Sequence, residues 1–301
     1  MRLIAVGVCV LLLRLPCFAW GASGHRIVAR IAARNLSPAA KAKVAAIFGT
    51  NAAGVEQAMA AASTWPDEIN KKNTKTGNWH FIDVPVAAPF SVGTLCAKHE
   101  CVIDRIQEMA NRLGMNENGF KLAQPASPSR PMTSQELAFL IHFVGDIHQP
   151  LHTANDGDRG GNCDVLTTPI VHGPQDTTQL HAVWDVDEVL AVMKIIGGED
   201  KTVTALFQMS QTGTPVQQLT LTDWAREAND LAKKDVYLKL DIPSRTAPVG
   251  QCALGIAKVT VTAQYVNGNV PDVERQLLSA GIRLSNLLNQ ICSGTGCKAQ
   301  P

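Results

Sequence analysis

Apolar residues recur at helical spacing along nearly the whole 301-residue chain, and this period limits the fold to packed helices. In "CVIDRIQEMANRLG" Val102, Ile106, Met109 and Leu113 share one face, and near the C-terminus Leu277, Leu284, Leu288 and Ile291 do the same. Further helices are expected at about 24–34, 38–48, 54–70, 134–149, 178–196, 200–211 and 215–234, parted by breakers such as "QPASPSRPMTS" and "DGDRGGN". Only "CDVLTTPIV", residues 163–171, reads as extended. The expectation is an all-α chain with one domain over residues 20–301.

Residues 1–19 have the features of a signal peptide: an early Arg2, an apolar run from Leu3 to Leu13, and the small Ala19 where a signal peptidase cuts. The run is far below the roughly 20 residues needed to span a bilayer. The expected product is exported, secreted or periplasmic, with no membrane insertion. Six cysteines follow the leader: Cys96, Cys101, Cys163, Cys252, Cys292 and Cys297. An even count in an exported chain points to disulfides. Equal close spacing suggests Cys96 with Cys101 and Cys292 with Cys297, which leaves Cys163 with Cys252. No CxxC knuckle favours thiolate zinc ligands instead.

Charge restricts the function. The chain has 27 Lys and Arg against 26 Asp and Glu, and removing Arg2 and Arg14 leaves 25 against 26. Binding polyanions through Lys and Arg needs a basic stripe, which this balance argues against. If phosphates are bound, something other than basic side chains neutralises them.

The histidines suggest what that is. "HFVGD" sets His142 and Asp146 four apart, and "HAVWD" sets His181 and Asp185 four apart. Residues at i and i+4 stack on one helix face, so each pair offers an imidazole nitrogen and a carboxylate oxygen to one point. Zinc accepts both donors at about 2 Å. One such pair reads more readily as a surface ion pair; two change the balance. "HFVGDIHQPLH" adds His152 beyond Pro150, "NWHFID" sets His80 among apolar neighbours, and "STWPDEIN" supplies Asp67. Cleavage after Ala19 would give Trp20 a free α-amino group, able to chelate a metal together with its own carbonyl oxygen, and His25 follows five residues on. His148 points off the ligand face and reads as structural. The glycines of "DGDRGGN" read as shaping a tight loop after His152 rather than cradling a phosphate.

Taken in order, Trp20, His25, "WPD" with Asp67, "NWHF" with His80, "HFVGDIHQPLH" and "HAVWD" resemble the zinc-dependent class I nucleases, known from fungal single-strand-specific nucleases and from plant and bacterial relatives. The resemblance covers residues 20–185; beyond about 190 the chain matches only in being helical. It implies a helical fold shared with zinc phospholipase C and three zinc ions in a cleft. Asp67, His80, His142 and Asp146 would hold the first, and His152, His181 and Asp185 the second. The Trp20 amine and carbonyl, His25 and Asp146 would hold the third, with Asp146 bridging. Paired zincs activate a water and offset phosphate charge.

The implied substrates are single-stranded DNA and RNA, with double strands left open, cut to 5′-phosphorylated products. 3′-Nucleotides would lose their phosphate in the same way. A monomer with no stable protein partner is expected. By the resemblance Phe81 would stack on a base and Asp83 would accept a hydrogen bond from one or assist proton transfer; the alternative reading sets Phe81 in the core and Asp83 in a solvated ion pair. Many relatives carry arginine three residues after the WPD aspartate, where this chain has Asn70, so the substrate role of that position is open. A zinc phospholipase C is the alternative enzyme, disfavoured by "NWHF" and "WPD". An exported zinc-sequestering protein would use the same ligands without open coordination positions or a cleft.

Overall fold

The computed structural model describes residues 20–72, 74–96, 100–112, 132–172, 176–213, 215–248, 250–254 and 257–293. The leader at 1–19, Leu113 and the Cys292–Cys297 pairing lie outside the described residues. The helices in chain order are α1 (Ala22–Arg34), α2 (Pro38–Ile47), α3 (Val55–Ala62), α4 (Trp65–Lys72), α5 (Val102–Arg112) and α6 (Ser134–Asp146), then α7 (Leu180–Ala182), α8 (Glu188–Ile196), α9 (Glu199–Thr212), α10 (Leu221–Leu231) and α11 (Ala263–Ser293). A π-helical turn, Val183–Asp187, joins α7 to α8, and another, Ala232–Leu238, extends α10. Strands β1 (Val165–Ile170), β2 (Thr177–Gln179) and β3 (Lys258–Val259) form a small sheet in the order β2-β1-β3, antiparallel on one side of β1 and parallel on the other. The chain is mostly helical, as its period implies.

Local chemistry explains most boundaries. Helix α6 starts on a capping box in which the Thr133 hydroxyl accepts from the Glu136 N–H while the Glu136 carboxylate accepts from the Thr133 N–H. Thr220 and Asp223 repeat this on α10, so the helix expected from about 215 begins at Leu221. The single helix expected over 54–70 is two, broken at Ser63 and Thr64. Ser63 Oγ turns back to the Ala60 carbonyl, and Pro66 has no N–H with which to continue a helix from α3. The helix expected from about 178 starts at Leu180, because Thr177–Gln179 pairs with β1. The extended segment is β1; its partners are too short to show a period.

At 31 residues, about 46 Å, α11 is the spine, packing on α1, α2, α6 and α8. Gly281 permits its closest approach to α1, since a Cβ there would stand 2.6 Å from Ile31 Cγ2. On its outer face α1 carries Arg26, Arg30 and Arg34, which pair with Glu56 on α3 and with Glu199 and Asp200 at the start of α9. Disulfides join Cys96 to Cys101 and Cys163 to Cys252, and Cys292 is also disulfide-bonded. Among the described residues no helix is long and apolar enough to cross a membrane.

One buried acid weakens the fold at high pH. Glu188 is fully buried, with Oε1 accepting from Asn269 Nδ2 at 2.8 Å and Oε2 without a partner. Burial pushes its carboxyl up to about 8 from an ordinary 4.5. A folded-state value above the unfolded one means that folding holds a proton, so stability falls as pH rises from about 4.5 to about 8. Glu188→Gln keeps the acceptor and removes this cost. Urea denaturation should therefore show the variant more stable than the parent by a few kcal/mol at pH 8, with little difference at pH 5.

Candidate metal centre

Three groups of buried His and Asp side chains bring their ligand atoms within 4.8 Å of one another: Asp67 with His80 and His142, His25 with His142 and Asp146, and His152 with His181 and Asp185. The chain delivers them from separate elements. Helix α1 supplies His25, the first turn of α4 Asp67, and a 3-10 segment, Thr74–His80, ends on His80. Helix α6 gives His142 and Asp146 one turn apart, Nε2 to Oδ2 3.3 Å. His152 closes a short 3-10 turn, Pro150–His152. His181 and Asp185 lie one turn apart across the start of the π-helical turn, Nε2 to Oδ2 3.2 Å.

Asp146 is the hinge of the arrangement. Its Oδ2 lies 2.9 Å from His80 Nδ1, and its Oδ1 lies 3.3 Å from His25 Nε2. One carboxylate thus faces two groups with two different oxygens. Asp67 Oδ1 stands 3.4 Å from His142 Nε2 and 3.8 Å from His80 Nδ1. The rings of His25 and His142 stack with centroids 3.9 Å apart.

Backbone carbonyls set the imidazole tautomers. The Nδ1–H of His142 donates to Ser63 O at 2.7 Å, that of His152 to His80 O at 2.7 Å, and that of His181 to Gly160 O at 2.5 Å. When the ring is neutral this leaves the Nε2 lone pair facing the cluster, the form in which an imidazole binds a metal. Gln149 Nε2 donates to Asp185 Oδ1 at 2.6 Å and fixes that carboxylate. Asp67 Oδ1, Asp146 Oδ1, and His25 Nδ1 and Nε2 are buried without a hydrogen-bond partner. Of these, Asp67 Oδ1, Asp146 Oδ1 and His25 Nε2 face the cluster; orphaned buried polar atoms of this kind are costly unless a cation satisfies them, and this N/O donor set suits zinc.

Trp20 is fully buried, and the next residue is tied to the second cluster by Gly21 N–H donating to Asp185 O at 2.6 Å. Phe81 and Asp83 follow His80, both half-buried, on a segment held by Ile82 N–H donating to His152 O. Burial and the Asp158 carboxylate push Asp83 up to about 6. Asn70, half-buried on α4, faces the turn before His80, with Oδ1 3.3 Å from where a Cβ on Gly77 would stand. His148 points away from the ligands: its Nδ1–H donates to Val144 O and its Nε2 accepts from Arg283 Nη1, while burial and that guanidinium hold it well below its ordinary value.

Several contributors carry no ligand motif. Gly145, inside "HFVGD", lets His25 reach α6, since a Cβ there would meet His25 Nδ1 at 2.7 Å. A glycine within a helix costs about 1 kcal/mol relative to alanine, and that penalty was the available signal. Gln149 sits between two ligands in "HQPLH", but nothing in its type announces the bond to Asp185. The carbonyls of Ser63 and Gly160 have no sequence signal.

Burial works to lower His142, but the carboxylates of Asp146 and Asp67 overcome it and push the imidazole up to about 9. At pH 7 the metal-free cluster therefore holds a proton that a cation must displace. Zinc added to metal-free protein at pH 7 in weak buffer should release protons and raise the thermal midpoint, and chelation should reverse both. Saturable binding with no proton release would contradict this assignment of the proton to His142.

A profile described as S1/P1 Nuclease matches residues 20–293 and so begins at Trp20. The chain is 30% identical to nuclease S1 of Aspergillus oryzae, across 97% of this chain and 98% of that one. It is 30% identical to endonuclease 3 of Arabidopsis thaliana, over 91% and 89% of the two chains. With nuclease P1 of Penicillium citrinum it shares 27% identity over 90% and 97%. Together with a mostly helical fold and buried His and Asp groups that could hold metal ions, these matches establish that the chain belongs to the S1/P1 nuclease family, hydrolases that act on nucleic acid.

Proposed function

We propose that this nuclease hydrolyses phosphodiesters in single-stranded DNA and RNA to 5′-phosphorylated products, and removes the phosphate of 3′-nucleotides, using three zinc ions. The observation that carries the reading is the set of three buried ligand groups, two of which share His142 and are spanned by the two oxygens of Asp146. Asp67, His80, His142 and Asp146 would hold one ion, His152, His181 and Asp185 a second, and His25, Asp146 and the Trp20 amine and carbonyl a third. Bound there, zinc supplies positive charge for the phosphate and lowers the pKa of water.

The protein's own groups do the rest. Fixed tautomers keep lone pairs aimed inward, so little reorganisation accompanies the reaction. Water adds to phosphorus, the P–O3′ bond breaks, and the leaving oxygen takes a proton to become a 3′-hydroxyl. Phe81 offers a ring face to a base of any sequence. Asp83, with a carboxyl near 6, accepts a hydrogen bond from a base edge when ionised and supplies a proton when neutral. The near balance of 27 basic and 26 acidic residues is then no obstacle, because metal charge offsets the phosphate.

Export with Trp20 as the first residue belongs to the same reading. It is supported by the family match beginning at Trp20, by the disulfides, and by the anchoring of Gly21 to Asp185.

The decisive assay compares hydrolysis of single-stranded DNA, RNA, 3′-AMP and a phosphatidylcholine by the mature chain, with and without chelator. Chelator-sensitive cleavage of nucleic acid leaving 5′-phosphate ends is expected, whereas lipid cleavage with inert nucleic acid would move the activity to a phospholipase. Asp146→Asn should lower kcat/KM by about a thousandfold or more, as loss of a bridging ligand disturbs two ions. An authenticated chain with one extra residue before Trp20 should be poorly active; equal specific activity would count against the terminal amine as a ligand.

A further inference from the structure

The "DGDRGGN" loop, residues 156–162, left without a chemical role by the sequence, forms with Asp164 just beyond it a second charge cluster. Asp158 and Asp164 are fully buried and Asp156 nearly so. From the far side of the disulfide-linked segment Arg245 enters this acidic pocket. Its Nη1 and Nη2 form a two-pronged pair with Asp164 at 2.6 and 2.8 Å, and the guanidinium lies 3.7 Å from both Asp156 and Asp158. Its backbone N–H also donates to Asp156. Tyr237 O–H and Ser244 O–H complete the set, donating to Asp158 and Asp156.

The pocket fixes the loop's path. Gly157, Arg159, Gly160 and Gly161 all have positive φ. A Cβ on Gly160 would stand 2.4 Å from Leu151 O, so the loop is pressed against the His152 turn. Its outcome is the Gly160 carbonyl that accepts from His181 Nδ1–H, reinforced by His181 N–H donating to Gly161 O. Without Arg245 three carboxylates would face one another with no cation, and the loop would have to open to hydrate them.

We propose that Arg245 is a positioning residue for the His152–His181–Asp185 group: by neutralising Asp156, Asp158 and Asp164 it fixes the loop whose Gly160 carbonyl orients His181. The proposal rests on the reading of that group as a metal site. Arg245 lies outside the residues that carry the family motifs, and it touches none of the ligands; it acts through the loop and through Asp164, whose carbonyl accepts from the Leu180 N–H beside His181.

The test uses mature protein labelled with 15N-histidine and loaded with zinc. It measures exchange of each Nδ1 proton, zinc retention against a competing chelator, and kcat and KM. Arg245→Met should speed exchange of the His181 Nδ1 proton at least tenfold, leave those of His142 and His152 unchanged, and weaken one zinc by about 10–100-fold. The kcat should fall more than KM rises. Asp164→Asn, which keeps the cation but breaks the two-pronged pair, should shift the same proton in the same direction and serves if Arg245→Met does not fold. Arg30→Ala, which removes the guanidinium shared by Glu56, Glu199 and Asp200 on the outer face of α1, should move none of these readouts. A folded Arg245→Met chain with normal His181 exchange and normal zinc retention overturns the proposal, as does equal loosening at all three histidines. A parent protein that takes up no zinc at this group overturns the metal reading itself, a result distinct from either.

Discussion

Everything at the centre of this protein depends on keeping imidazole and carboxylate side chains dry and aimed. An ionised carboxylate loses several kcal/mol of hydration on burial, and Asp146 is fully buried. It is held far below the usual carboxylate range only because His142, His25 and His80 surround it. Of these His142 is held in turn by the Ser63 carbonyl, and in the other group His152 and His181 are held by the carbonyls of His80 and Gly160. The ligands alone would not give this geometry; the packing of α1, α3, α6 and the Gly160 loop supplies it.

The helices look subordinate to that demand. The break between α3 and α4 releases the Ser63 carbonyl to His142, where an unbroken helix would have kept it in its own ladder. The π-helical turn after α7 carries Asp185, and turns of this kind recur where a side chain must be re-aimed. Glycines at 21, 24 and 145 sit where any Cβ would collide with Asp185 O, the Trp20 side chain or His25. Gly24 and Gly145, inside α1 and α6, give up local helical stability for closeness.

Much of this was legible in the sequence, and the reasons are physical. Residues four apart on a helix share a face, so His142 with Asp146 and His181 with Asp185 could be paired without coordinates. The structure brings all the expected side-chain ligands together in three buried groups. Long amphipathic helices such as α5 and α11 were visible from their period, although α11 begins well before its clearest repeat. What escaped notice depends on long-range contacts. Helix ends set by Ser63 or by strand pairing, the Gln149 bond to Asp185, and the meeting of Arg245 with acids some 80 residues away leave no local pattern. The fold of "DGDRGGN" was readable as a tight loop, but its carbonyl partner was not.

The His152 Nδ1–H bond to the His80 carbonyl has a further consequence. His80 offers its ring to one ligand group while its peptide oxygen aligns a ring in another, so a single residue serves two sites by two separate atoms. A disturbance that rotates this peptide reaches both groups at once. The energetic linkage between them is reciprocal: whatever the filling of one group does to the orientation of residue 80, the other feels to the same degree in free energy. The two groups are therefore joined through main chain at residue 80 as well as by proximity.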